Sequence, residues 1–509
     1  MRILIFHGYL LAGTGSNIYN ARLAQALVDL GHEVHLLCQD RHPERQPFVD
    51  ATGDWEQGEL RVRTLREPVR CTAYRPEIGG LLPVYVEDPY EGIEARAFAR
   101  CSEAEVERYI EANVAAVREL VGRVQPDVAL ANHLVMGPAI LARALAHRVP
   151  YAVKVHGSAL EYTVKPDPER FLPYAREGLE PAEAILVGSL HTARSLWDAM
   201  EDPAIEARTR LGPPGVDVEL FKPLPQRAAS RPPEPVVAFV GKLIVNKGVD
   251  LLIAAWPLVL EQVPEARLEI VGFGGDGEWL ERLLETLAAG ELERAIDLAQ
   301  AGRARGSAES RVGRARGAAD AQERRAGEAT DTQATGHAQP IPLRHLVAFL
   351  GSLRDQRRER YLATASTLPE RARFAGRLEH EALAELLPTC EALVVPSTFP
   401  EAFGMVAAEG AACGALPVSA AHSGLAEVSR VLAGAVPAEA AGWLSFPVDD
   451  HAVPAIAQCL VGWLRADPVL REQTRAGLVA TARVRWSWEG VARGVIEVAR
   501  GELDVLPSP

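Results

Sequence analysis

Cysteine is scarce in this chain and never clustered. Cys38, Cys71, Cys101, Cys390, Cys413 and Cys459 stand singly among 509 residues, at no spacing that reads as a zinc site or a redox pair. Reduced thiols are the expectation. Long apolar runs are missing too: no stretch reaches the ~18 residues that a membrane span requires. Positive charge is in deficit. The net charge of −14 argues against general affinity for nucleic acid or an anionic surface. There is no P-loop, no Ser-His-Asp signature and no cluster with metal-ligand spacing. The N-terminus, MRILIFHGYLLAGTG, carries one basic residue and reads as a first strand rather than a signal peptide. The expected location is the cytoplasm.

What is present fits a soluble globular protein. The hydrophobic fraction is 48% and the charged fraction 24%, ordinary for a globular chain. One core rarely grows beyond about 300 residues, so two domains are expected. RILIF, then a glycine loop, then IYNARLAQALVDLG with Ile18, Leu23, Leu27 and Leu30 on one side, then EVHLLCQD give a strand–helix–strand start. Strands are also expected at 127–133, 151–157 and 182–189. Dense proline at 211–225 and 231–235 marks a linker. A second series starts at VVAFVGKL (236–243) and continues through ARLEIVG, RARFAG, ALVVPS and ALPVSA. Strands alternating with helices predict two doubly wound parallel-sheet α/β domains facing a cleft. Residues 40–105 show no regular pattern.

Residues 290–340 break the rhythm. They are rich in Ala, Gly and Arg and nearly lack large apolar residues, which predicts a loose, solvated insertion. Its arginines, Arg303, Arg305, Arg311, Arg314, Arg316, Arg324 and Arg325, are a candidate for contact with RNA or with anionic lipid, the latter as peripheral contact at the inner face of a membrane. Residues 341–370 read as helical, so the whole insertion is drawn at about 290–370.

In open parallel sheets ligands sit at the carboxyl ends of strands, where loops and helix N-termini meet. Five stretches stand there. Gly13 and Gly15 form a loop whose amides suit phosphate. Lys242 and Lys247 follow the first strand of the second domain and would neutralise a diphosphate. His156 ends a strand of the first domain, and His133 ends its neighbour. PEAFGMVAAEG (400–410) places Glu401 and Glu409 around an uncharged run. A helix from about Ala402 would set both carboxylates on one side, with the amides of Phe403, Gly404, Met405 and Val406 between them.

These segments together resemble the retaining glycosyltransferases of family 4, which have the GT-B fold. The anchors are AGTGSNIYNARLAQALVDLGHEV, VKVHGSALEY, PPGVDVELFKP, FVGKLIVNKGVDLLIAA, LEIVGFG, FAGRLEHEALAELL, PSTFPEAFGMVAAEGAACGALPV and SGLAEV. The resemblance implies a first domain over 1–225 on the acceptor side and a nucleotide-sugar domain over 226–475. A final segment, 476–509, would cross back. It implies transfer of a hexosyl group from a nucleotide-diphosphate sugar to an acceptor hydroxyl, without a metal or other cofactor. Glu409 would hold the ribose and Glu401 the sugar. Lys242 and Lys247 would hold the diphosphate, Gly15 would approach it, and His156 would contact the sugar near the reacting carbon. The amides of residues 403–406 would face sugar and phosphate. Lysine at 242, where the family often has arginine, turns a bidentate clamp into a point charge. A nucleotide-sugar epimerase and a non-catalytic nucleotide-sugar-binding subunit are the alternatives.

Overall fold

The computed structural model describes residues 1–13, 15–85, 92–224, 234–302 and 343–509. They divide into two compact units. The first comprises Met1–Val216 and Val484–Pro509, and the second Asp217–Arg483.

The strands of the first unit are β1 (Arg2–Phe6), β2 (Glu33–Leu37), β3 (Ala51–Glu56), β4 (Glu59–Thr64), β5 (Cys71–Arg75), β6 (Leu81–Val84), β7 (Glu94–Ala97), β8 (Val128–Asn132), β9 (Tyr151–Val155), β10 (Ala184–Val187) and β11 (Thr209–Leu211). Nine of them form one sheet, in the order β11-β10-β9-β8-β1-β2-β5-β3-β4, while β6 and β7 pair separately. The nine pair in parallel except for the β3–β4 hairpin. The sequence is apolar on both sides of each central strand because both faces are covered. In β1, Leu4 and Phe6 enter one core, and Ile3 and Ile5 enter the other. The irregular stretch 40–105 is thus not loop: β3, β4 and β5 extend the sheet at its edge. Their alternation is broken by short polar hairpins and by a buried Asp50, whose carboxylate takes the Arg70 and Cys71 amides at 2.9 and 3.1 Å.

The last helix, Trp488–Ala499, buries Ala492, Val495 and Ile496 against Leu23 and Leu27 of the helix Gly15–Asp29. The Val216 amide donates to Trp486 O at 2.6 Å, so the first unit closes inside the proline-rich segment, at 216. Residues 225–233 of the expected linker lie outside the described residues.

The second unit holds β12 (Val236–Val240), β13 (Arg267–Val271), β14 (Ala372–Gly376), β15 (Ala392–Val395), β16 (Leu416–Ala420) and β17 (Ser445–Phe446). They make one parallel sheet in the order β14-β13-β12-β15-β16-β17. Two tryptophans, Trp256 and Trp463, lie fully buried in its core.

The insertion is narrower than the sequence suggests. Residues Leu292–Ala301 form a helix that buries Leu292, Ala295 and Ala299. Helices Arg344–Ser352 and Asp355–Ala365 follow. Phe349 and Tyr361 stack edge-on at 5.6 Å, and the Tyr361 hydroxyl donates to Ala254 O at 2.9 Å. Those flanks are core, not appendage. The Leu343 amide bonds to Ala299 O at 3.0 Å, so the chain returns to where it left. The arginine cluster falls outside the described residues.

Candidate functional site

Both sheets have a switch point where the chain changes its direction of winding. In the first it lies between β1 and β8, and in the second between β12 and β15. The crevice outside the carboxyl ends of such strands is where open α/β sheets bind ligands. The anticipated residues gather at these two places, each in its own unit.

In the second unit, β12 runs into a loop and the short turn Val245–Lys247, ending at Gly248. Gly248 has φ +66°, and a Cβ there would lie 2.0 Å from Pro396 O. Only glycine lets this loop abut the end of β15. The Thr398 amide then reaches Asn246 O at 2.9 Å. That contact brings Lys247 against Glu401: ammonium and carboxylate form an ion pair. Ser397 Oγ donates to the same carboxylate oxygen at 2.6 Å. Lys242 is exposed, and among the described residues its ammonium has no partner.

Glu401 does not stand at a helix mouth. The helix begins three residues later than expected, at Met405, and runs to Ala412. Gly404 precedes it with φ +124°, a conformation that ends any helix upstream. A Cβ at Gly404 would meet Leu425 Cδ2 at 2.7 Å, and one at Gly424 would meet the Phe403 backbone at 2.6 Å. The turn carrying Glu401 is therefore pressed onto the start of the helix Ser423–Ala433. The Glu401 amide donates to Ser423 Oγ at 2.9 Å, and the Gly424 amide to Glu401 O at 2.9 Å. His422 closes this frame. Its Nε2–H donates to Ser397 O at 2.8 Å, so its Nδ1 accepts from Ser423 Oγ at 3.1 Å.

Two corrections follow. The two glutamates do not share one helix, so the argument from 100° per residue fails. The helix's first amides are those of Met405, Val406 and Ala407, while Phe403 and Gly404 belong to the turn. Those leading amides have no intrahelical acceptor and remain a favourable place for an anion.

Glu409 sits on this helix and is only 6% exposed. Burial pushes its carboxyl up to about 8. The His380 ring, at the start of the helix His380–Leu386, comes within 3.8 Å. Nearby in sequence, the Arg377 guanidinium lies 5.2 Å over the Phe273 ring, which is half exposed. Sequence reasoning passed over Phe273, Arg377, His380, Ser397 and His422. Each lies within four residues of the carboxyl end of a strand of the second sheet, and that position was the available signal.

In the first unit Gly13 is exposed at φ +97°, and Gly15 is the first residue of the helix Gly15–Asp29. A Cβ at either would touch nothing within 4 Å, so the loop is open. His156 follows β9, and its Nε2–H donates to Asn132 Oδ1 at 2.9 Å. Burial, aided by the positive charge of neighbouring groups, holds this imidazole well below its usual range. It is neutral. His133 is buried at φ +67°, its ring 5.0 Å from His156. Among the described residues no group of three or more His, Cys, Asp or Glu is placed to hold a metal. No helix there is long and apolar enough to cross a membrane.

The pattern of the glycosyl transferases group 1 family matches residues 234–301 and 344–456, and that of the glycosyl transferase 4-like domain matches 14–206. The chain belongs to the family 4 glycosyltransferases. The two group 1 matches stop at 301 and restart at 344. This glycosyltransferase is 32% identical over 168 residues to the D-inositol 3-phosphate glycosyltransferase of Kineococcus radiotolerans, covering 31% of the chain and 38% of that relative. With the same-named protein of Thermomonospora curvata the identity is 29% over 374 residues, covering 71% and 67%. The chain therefore spans well under half of the first relative and two thirds of the second. The solved sucrose-phosphate synthase of Thermosynechococcus elongatus aligns over 98% of both chains with a TM-score of 0.54 and 18% identity. Anabaena HepE, in complex with UDP and glucose, aligns over 98% and 99% with a TM-score of 0.54 and 15% identity. Together they show the GT-B fold.

Proposed function

We propose that this enzyme transfers a hexosyl group from a nucleoside-diphosphate sugar to an acceptor hydroxyl, with retention at the anomeric carbon. The observation that carries the reading is the Lys247–Glu401–Ser397 cluster at the second switch point, beside the open amides of Met405–Ala407. Further support comes from HepE, a protein of the same fold solved with UDP and glucose. The relatives' names point to a phosphorylated polyol as the first acceptor class to test.

In this reading Lys242, Lys247 and the helix amides take the diphosphate. They stabilise the charge that grows as the sugar–phosphate bond breaks, which is preorganised electrostatic catalysis. Glu401 orients the sugar hydroxyls and Glu409 the ribose. Gly13 and Gly15 leave room for phosphate, and His156 accepts a hydrogen bond from the sugar. Phe273 and Arg377 offer flat faces to the base. Glu401 is tied to a lysine and a serine, so it serves as a clamp rather than a nucleophile. The departing phosphate takes the acceptor's proton. No metal is assigned a role, and full turnover in a chelator is the expected outcome.

The test is a panel of UDP and GDP sugars with polyol acceptors, read by nucleoside diphosphate release and by the anomeric coupling of the product. Release with an α-linked product is expected. Binding without release would favour a silent subunit, and an epimerised donor would favour an epimerase.

A further inference from the structure

The glycine loop and His156 are joined by a buried chain of hydrogen bonds whose direction is fixed from one end. His7 follows β1 and is 1% exposed. Its Nε2 contacts Leu10 O at 2.8 Å and Asn17 Oδ1 at 3.0 Å. A backbone carbonyl only accepts, so Nε2 carries the proton and Nδ1 is the acceptor. Nδ1 takes a hydrogen bond from Asn20 Nδ2 at 3.0 Å, and the same amide nitrogen reaches Ser16 O at 2.9 Å. Asn20 Oδ1 is then left to accept, which it does from Asn132 Nδ2 at 2.7 Å. Asn132 Oδ1 in turn accepts from His156 Nε2–H at 2.9 Å. Asn17 completes the loop end, donating to Ala12 O at 2.7 Å. Asn17, Asn20 and Asn132 are each 2% exposed or less. One carbonyl, Leu10 O, thus dictates the tautomer of an imidazole four residues along the chain of bonds. His156 Nδ1 has no partner among the described residues and points its lone pair to whatever enters.

We propose that His7, Asn20 and Asn132 are positioning residues: they lock His156 as the Nε2–H tautomer, present Nδ1 as an acceptor for a donor-sugar hydroxyl, and tie that ring to the loop Leu10–Gly13. The proposal rests on the glycosyl-transfer reading for the identity of the ligand, not for the tautomer. The physical gain is orientation. A neutral imidazole free to flip would offer a donor or an acceptor to the sugar, and only one matches a given hydroxyl. Burial keeps both rings neutral. His7 is held down at about 4, and His156 well below its usual range. The groups facing His156 are Tyr19 from the first helix at 5.0 Å between rings, His133 at 5.0 Å, Asn132, His7, and Lys154 on its own strand. Lys154 is itself buried and lowered to about 7, with its ammonium donating to Gly212 O.

The first readout is imidazole nitrogen NMR on the full chain with labelled histidine, with signals assigned through His7→Gln and His156→Gln. Nε2–H tautomers for both His7 and His156 at pH 7.5 are expected. An Nδ1–H tautomer or a protonated ring at either position overturns the proposal, whatever the activity. The second readout is Asn132→Asp, which keeps the acceptor for His156 but cannot donate to Asn20. A carboxylate there raises the His156 pKa, so the ring protonates and loses its acceptor as pH falls. The kcat of the variant relative to wild type is expected to fall 10- to 100-fold at pH 6.5 and to recover toward pH 9, with donor KM changing less than threefold. A ratio that stays constant with pH would mean a merely structural role. Wild-type enzyme that turns over no donor would sink the functional reading while leaving the tautomer result standing.

Discussion

Replacing Glu409 with Gln should stabilise the protein, and by an amount that depends on pH. Burial raises this carboxyl from 4.5 to about 8 in the folded chain. In the unfolded chain it returns to its ordinary value. Between those two values the folded state holds a proton that the unfolded state has lost, so stability falls as pH rises. Each pH unit in that window is worth about 1.4 kcal/mol. At pH 5 the penalty is about 1 kcal/mol, and at pH 7.5 it has grown to about 4 kcal/mol. Glutamine keeps the shape and stays neutral, so it escapes the penalty. For a unit of this size a kcal/mol moves the melting point by about 2 °C. Calorimetry should therefore show Glu409→Gln melting about 8 °C above wild type at pH 7.5 and only about 2 °C above it at pH 5. The same variant should bind donor more weakly above pH 8, where the wild-type carboxyl is ionised and a charged acceptor holds ribose hydroxyls more strongly than an amide does. A variant equal to wild type at pH 7.5, or an increment independent of pH, would refute the reasoning.

Other consequences can be checked with the same reagents. Lys247→Ala should lower kcat about 100-fold, as loss of one electrostatic contact to a leaving group does. It should leave the melting point nearly unchanged, because a partly exposed ion pair contributes about 1 kcal/mol or less. Steady-state kinetics beside a thermal melt would reveal the opposite pattern. Gly404→Ala should destabilise by about 1–3 kcal/mol through its positive φ, with more from the contact with Leu425, and denaturant titration measures it. Replacing 303–342 with a short Gly-Ser linker should preserve the fold, since Leu343 already bonds to Ala299. Shortening that loop about eightfold should stabilise by roughly 2 kcal/mol, and a collapsed melting transition would contradict this.

How much of this was legible in the sequence depended on whether the signal was local. The strands β1, β8, β9, β12, β13, β15 and β16 are short, mostly Val/Ile/Leu/Ala runs followed within two residues by Gly, His, Pro or Ser, and they were readable as buried parallel strands. So was the gathering of charged residues behind them. The helix start at Met405 was not readable, because AFGMVAAEGAACG is made of good helix formers. What stops the helix short of Glu401 is tertiary: Gly404 turned against Leu425, and Glu401 held by Ser423 and Lys247. The extent of the insertion was misjudged for the reverse reason. Alanine- and arginine-rich composition hid the spacing of Leu292, Ala295 and Ala299, which lie on one helical face and are buried. The links from His7 through Asn20 and Asn132 to His156 join residues up to 149 positions apart in the sequence, and only the order β9-β8-β1 brings them together.

The central claim is that Lys242, Lys247 and the turn before Met405 form a site for a nucleoside diphosphate. Calorimetric titration of UDP and GDP into the wild-type chain and into Lys242→Ala tests it most directly. The account predicts saturable binding of at least one of them to wild type, weakened about tenfold or more in the variant, with unchanged melting points. Equal affinity in both proteins, or no binding of either nucleotide to wild type, would contradict it.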